Sequence, residues 1–214
     1  MITNADYRSR EVWLPPLAVM ALVLVLGLGG EPARALLRYE AAAVAAGEGW
    51  RLLTANFVHL GWWHLLLNEI GLAVLVLLCP EKLSWGVWLR RLVLIGLGMT
   101  TCLYFFVPLT QSYVGLSGVI HGLFVLGLGR QIVADRDLIS AGCLAFLVGK
   151  VAWELVAGVP VSDEAAIGGT VLVESHLYGS LSALIYGLMF GAFRRPETFR
   201  RPRHRNGPSR QEPR

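Results

Sequence analysis

A serine set between glycines, four histidines within or beside apolar sequence, and a lysine–glutamate pair inside an apolar run are the residues with which this chain could do chemistry. Gly115-Leu116-Ser117-Gly118 sets a hydroxyl at a loop-to-helix junction, beside the unpaired N–H groups and positive dipole end of a first helical turn. Those are the parts of a nucleophile with an oxyanion site, although glycines at this spacing also serve helix packing. His176, near the start of the last apolar run, is a candidate base for Ser117. His64 and Asn68 are four residues apart, hence on one helical face, and could donate towards a developing oxyanion; His59 lies just before them. His121 is one turn beyond Ser117 and could stack on His176, hydrogen-bond within the pocket, or compete with it as base.

Lys150 and Glu154 are also one turn apart. Charges inside a membrane are expensive, so an ion pair facing the bundle interior is the minimal reading, and contact with a substrate is the functional one. A metal site is disfavoured: there is no His-Glu-x-x-His, and Asn68 is a poor ligand. Cys79, Cys102 and Cys143 lie in or beside three different apolar runs without ligand spacing and read as packing residues. Nothing calls for a cofactor, since no Gly-rich phosphate loop adjoins a strand pattern.

The elements that must position these groups are set by composition. With 55% hydrophobic and 16% charged residues and a mean hydropathy of +0.55, the chain reads as a membrane protein. Apolar runs cover approximately Trp13–Gly29, Trp62–Leu78, Leu92–Val107, Val114–Gly129, Leu138–Gly158 and Val171–Phe193. Most approach the ~20 residues that span a ~30 Å hydrocarbon core, which predicts an all-α bundle of six transmembrane helices over residues 13–193. The first run, although followed by Ala33-Arg34-Ala35, exceeds the roughly 7–15 residues of a signal h-region and is expected to be retained as a helix.

The net charge of +4 could suggest nucleic acid, but eight of the 19 basic residues fall in the segment Arg194–Arg214. That segment reads as a disordered tail facing lipid headgroups rather than as a nucleic-acid surface. Fifteen of the 19 basic residues lie on one side if residues 1–12 are cytoplasmic, against Arg34, Arg38 and Arg51 on the other, so the positive-inside rule sets both termini in the cytoplasm.

Counting from Arg130 at the cytoplasmic boundary, thirteen residues at ~1.5 Å each lift Ser117 only about 20 Å, leaving it roughly 10 Å below the outer face. Non-helical backbone at that depth is tolerated only where protein covers it or water reaches it, which predicts a wet pocket open to the outside. Gly179, Ala183, Gly187 and Gly191 form a small-residue stripe below His176, matched by Gly118 and Gly122. Such faces let membrane helices approach closely and would bring Ser117 to His176. Asn68, six residues into its helix from the interfacial Trp62, falls at a similar depth.

Taken together, Trp50-Arg51, Thr54, His59, His64, Asn68, then Gly115-Leu116-Ser117-Gly118, then His176-Leu177-Tyr178-Gly179 resemble the rhomboid intramembrane serine proteases. The resemblance implies that Ser117 attacks the scissile carbonyl and His176 takes its proton without a third, acidic residue. It also implies that His64 and Asn68, with backbone N–H groups at Gly115, Leu116 and Gly118, bind the oxyanion. Ser117-Gly118-Val119-Ile120-His121-Gly122 and Lys150-Val151-Ala152-Trp153-Glu154 further resemble the rhombosortase branch. That likeness implies a bacterial inner-membrane enzyme, open to the periplasmic side, whose substrates are exported proteins with a C-terminal Gly-Gly-containing transmembrane sorting signal. The acyl group could pass to water, an amine or a lipid. An inactive rhomboid-like adaptor is the rival within the fold, and a transporter is the rival outside it. Many rhomboids carry tyrosine where this chain has His121, which is expected to support His176. In His121→Phe, proteolysis is expected to survive; in His176→Phe it is expected to vanish. The opposite pattern reverses the assignment of the base.

Overall fold

The computed structural model describes residues 7–194; residues 1–6 and the basic segment from residue 195 onwards lie outside the described residues. All six apolar runs are helical. They form α1 (Arg10–Leu28), α5 (Trp62–Leu78), α6 (Trp85–Phe106), α7 (Ser117–Asp135), α8 (Leu138–Ala157) and α10 (Glu174–Phe190). Short helices α2 (Gly30–Leu37), α3 (Ala41–Ala45) and α4 (Arg51–Thr54) fill the segment between α1 and α5, and α9 (Glu164–Ile167) interrupts the loop before α10. By length and composition α1, α6, α7 and α8 suffice to cross a membrane. A fifth span is added if α4 with its following turn and α5 count as one broken span, bent by 87°. At 17 residues, α5 and α10 rise only about 25 Å each. Four or five spans thus pass on length where six were expected.

Helix ends follow their sequences. The Ser84 hydroxyl accepts from the Val87 N–H to open α6, and the Asp137 carboxylate accepts from Ile139 and Ser140 to open α8. Gly158 and Gly191 close α8 and α10 in the left-handed conformation. α7 runs five residues past Arg130, and the start of that last turn is fastened to the end of α5 and the loop after it: Arg130 pairs with Glu81 and the Gln131 amide donates to the Leu78 carbonyl.

α7 occupies the centre. Val119, Ile120, Leu123 and Leu126 pack with Val23 of α1, Leu72 of α5, Ile95 of α6 and Ala183 of α10 in one apolar core. Its contact with α10 is the closest in the fold, because a Cβ at Gly179 would run into the Gly118 carbonyl and one at Gly122 would sit 2.6 Å from the Gly179 carbonyl oxygen. α8 is peripheral: of its twenty residues only Ser140, Val151 and Glu154 are buried.

The segment between α1 and α5 is stitched to the bundle by polar side chains. Buried Arg51 donates from Nη1 to the Ala35 and Arg38 carbonyls and from Nε to Glu48, and Thr54 donates to the Leu37 carbonyl at 2.8 Å. Trp50, Trp62 and Trp63 remain exposed around it. One element is not helical. Tyr39–Glu40 (β1) and Ser112–Tyr113 (β2) pair antiparallel, Tyr39 opposite Tyr113, and so fix the chain entering α7 against the outer segment. Two residues a side carry no period-2 pattern that a sequence would betray.

At the other end, Arg91 donates to Glu81 at 2.5 Å and Arg130 donates to it at 3.0 Å, with Glu81 and Arg91 both buried. Burial alone would raise the Glu81 carboxyl, but the two guanidinium groups overcome it and hold the group below its ordinary value of 4.5. A depressed folded value contributes stability that is present above the unfolded value and is lost as pH falls through the folded one. Glu81→Gln should therefore cost about 3 kcal/mol in detergent unfolding at neutral pH, since it leaves buried Arg91 uncompensated. The deficit should shrink as pH falls below the carboxyl's ordinary value of 4.5 and on through its lower folded value, where the wild-type group also loses its charge. Parallel pH profiles for the two proteins would remove this account.

Candidate active site

The strand pair and the first turn of α7 hold the serine. Gly115 donates its N–H to the Ala55 carbonyl at 3.0 Å, and the buried Tyr113 hydroxyl donates to the Gly115 carbonyl at 2.6 Å. Gly115 has φ +124°, a conformation that other residues rarely adopt, and a Cβ there would lie 2.8–2.9 Å from Cε1 and Nε2 of His64. Leu116, buried, is the N-cap residue, and Ser117 begins the helix, so its N–H faces no acceptor within α7. Gly118 contributes its missing side chain, because a Cβ would meet the Met99 sulfur and the Ser175 carbonyl. Its N–H is within reach of the Tyr113 hydroxyl.

Across the close α7–α10 contact, the Ser117 Oγ lies 3.1 Å from the His176 Nε2. His176 is buried, and its other nitrogen, Nδ1, lies 2.8 Å from the Glu154 Oε2. Lys150 donates to the same oxygen at 2.9 Å and to the His121 Nε2 at 3.0 Å. His121 stacks on His176, with centroids 4.1 Å apart and planes at 15°, and its Nδ1 donates to the Ser117 carbonyl at 2.7 Å.

One arrangement of protons satisfies all of these contacts. The His121 Nδ1 carries hydrogen for the Ser117 carbonyl, leaving its Nε2 lone pair for Lys150. In His176 the Nδ1–H then points to Glu154, and Nε2 presents its lone pair to the serine hydroxyl. Lys150, 3.4 Å from the His176 Nδ1, is a neighbouring charge there and not a hydrogen-bond donor. His121, with both nitrogens committed, supports the base and does not compete with it.

On α5, the Leu60 N–H donates to the His64 Nδ1 at 3.4 Å, which leaves the proton on Nε2, the atom turned towards Gly115. The Asn68 Nδ2 donates to the His64 carbonyl at 2.8 Å within the helix and keeps a second hydrogen; its oxygen is buried without a partner among the described residues. His59 is buried edge-to-face against His64, centroids 5.0 Å apart, and braces that ring. His64, Asn68, Ser117, His121, Lys150, Glu154 and His176 together line one cavity of about 380 Å³, walled otherwise by Leu67, Phe124, Leu147, Val161 and their neighbours. Among the described residues, no group of three or more His, Cys, Asp or Glu side chains could hold a metal ion.

Two groups depart from the sequence reading. Glu154 was expected to pair with Lys150 alone; it also meets the histidine, where the family resemblance implied no acidic partner. Tyr113, which props the Gly115 carbonyl, was not singled out. A hydroxyl held to a neutral imidazole, in a cavity lined by further N–H donors, can deliver an alkoxide to a carbonyl carbon and stabilise the oxygen that becomes charged. Gly115→Ala should lower the turnover at least tenfold, because strain and the His64 contact displace the loop on which Ser117 sits. Wild-type turnover in that variant would show that the loop conformation is immaterial.

Comparisons with known proteins agree with this geometry. Residues 46–193 match the family described as Rhomboid domain. A Bacillus subtilis (strain 168) protein named "Putative rhomboid protease YdcA" is 37% identical over 113 residues, covering 49% of this chain and 56% of that protein. Uncharacterized proteins of Mycobacterium tuberculosis (strain H37Rv) and Mycobacterium leprae are 28% and 31% identical over 149 and 152 residues, each covering 67% of this chain. The chain spans about 60% of the length of these curated relatives. On the extent of the family match, which takes in every residue of the cavity, the chain belongs to the rhomboid family.

Proposed function

We propose that the chain is an active intramembrane serine endopeptidase in which Ser117 is the nucleophile and His176 its general base. The observation that carries this reading is the 3.1 Å contact between the Ser117 Oγ and a His176 nitrogen inside a cavity among apolar helices. In the reaction the Ser117 oxygen attacks the scissile carbonyl carbon while its proton passes to the His176 Nε2. The carbonyl oxygen, now anionic, takes hydrogen bonds from the Ser117 N–H, the His64 Nε2–H and the free Asn68 N–H. The proton on His176 passes to the departing amide nitrogen as the C–N bond breaks. Water, deprotonated by the same nitrogen, then releases the acyl group and regenerates the serine.

The substrates in this reading are membrane proteins with a C-terminal transmembrane segment, and the specific class is exported proteins with the Gly-Gly sorting signal of rhombosortase substrates. Six spans with both termini cytoplasmic, in the inner membrane, would open the cavity to the periplasmic side. The Lys and Arg distribution and the exposed Trp50, Trp62 and Trp63 support that orientation.

Co-expression with a reporter ending in Gly-Gly, an apolar helix and a basic cluster tests the reading. Mass analysis is expected to find a new reporter C-terminus with the wild-type protein and none with Ser117→Ala. Cleavage that persists in Ser117→Ala would overturn it. Equal cleavage of a single-pass reporter without Gly-Gly would leave the protease and remove the sorting specificity.

A further inference from the structure

The Lys150–Glu154 pair lies on the long helix with the fewest buried residues, yet Glu154 is among the most thoroughly buried side chains of the protein, 1% exposed. An ion pair that served only to neutralise two charges would need the two partners and no more. Here both carboxylate oxygens are spoken for by groups off their own helix: Oε2 by the His176 Nδ1 at 2.8 Å, and Oε1 by the Val161 N–H at 3.0 Å in the loop after α8. Lys150 completes the set and reaches the His121 ring as well.

We propose that Glu154 is a positioning residue for the catalytic histidine, the third member of a Ser117–His176–Glu154 chain, with Lys150 as the fixed cation that keeps the carboxylate ionised in its buried site. The inference rests on the serine-protease reading. A carboxylate at the Nδ1–H fixes the tautomer whose Nε2 accepts the serine proton, holds the ring plane towards Oγ, and balances the imidazolium that forms when the proton arrives. No bond to Glu154 is made or broken in this role; it acts through His176. The other charged or titratable groups facing His176 are His64 from α5, His121 from α7 and Lys150 from α8, and none can do the same, the His64 Nε2 being turned towards Gly115. His121 meets the ring face to face, and Lys150 offers only donors.

Lys150, together with the Val161 N–H on the other carboxylate oxygen, makes the arrangement sustainable. An isolated carboxylate in this setting would take up a proton instead of staying charged, and would then lose its claim on the Nδ1–H. The ammonium at 2.9 Å removes that incentive. Glu154 thus depends on Lys150, and His176 depends on Glu154.

Glu154→Gln tests the inference. The amide is similar in shape but has one acceptor oxygen where three N–H donors converge, and it carries no charge. The turnover for the reporter is expected to fall on the order of 100-fold or more, short of the roughly 10⁴ lost when the acidic member of a triad is neutralised in enzymes built around it. KM should stay within about twofold, labelling of Ser117 by a fluorophosphonate should slow in proportion, and Glu154→Asp should recover part of both. A second measurement needs no variant of Glu154: the imidazole ¹⁵N shifts of wild-type His176, assigned by difference from His176→Phe, should report hydrogen on Nδ1. Wild-type turnover and labelling in Glu154→Gln, or hydrogen on Nε2 in the wild-type protein, would overturn the inference while leaving Ser117 as nucleophile. Reporter cleavage in Ser117→Ala would instead bring down the protease reading itself.

Discussion

Everything in the site depends on how closely α7 and α10 approach. In lipid there is no hydrophobic force to press two helices together, so their separation is set by what stands between the backbones. Here that is almost nothing: Gly118 and Gly122 face Gly179 and Ala183, and a single added carbon at Gly179 has no place to go. Ser117 and His176 are 59 positions apart in sequence and both lie in the first turn of their helices, directly above this contact. A wider spacing of the two axes would separate hydroxyl and imidazole by the same amount, and a hydrogen bond does not survive an added ångström.

A second constraint is the low polarity around the site, which turns every polar group into an obligation. The protein meets much of it with linked sets of hydrogen-bonded and paired groups. One runs from the Ser117 carbonyl through His121, Lys150 and Glu154 to His176 and back to the serine hydroxyl; another, at the opposite end of the bundle, centres on Glu81 between Arg91 and Arg130. With His176 neutral, the assignment of hydrogens that satisfies the first set is the one a serine nucleophile requires. Arg51 plays the corresponding part for the outer segment, taking up carbonyls that short helices leave open.

Much of this was legible because membrane sequences are explicit about what faces what. The six apolar runs, the glycine stripe and the serine at the start of a helix are one-dimensional patterns, and each corresponds to a helix or a helix end. The contacts that sequence could not convey are those between elements whose rotation nothing local fixes. Lys150 and Glu154 announce a pair by their spacing, but nothing in α8 says that its buried edge points at a histidine 22 residues further on. Likewise Tyr39 and Tyr113 meet in a strand pair too short to leave a pattern.

The shallow seating of α8 has a mechanical side. A helix that buries little apolar surface is held mainly by its ions and hydrogen bonds, and the strength of those depends on how dry their surroundings are. In the proposed reaction the cavity they line must also admit the water that frees the acyl group. Wetting and fastening are therefore opposed in one place. On that proposal, water filling the cavity would raise the local screening and weaken the hold of Lys150 and Glu154 on the rest of the bundle, so that the reaction's own solvent would set the stiffness of this wall.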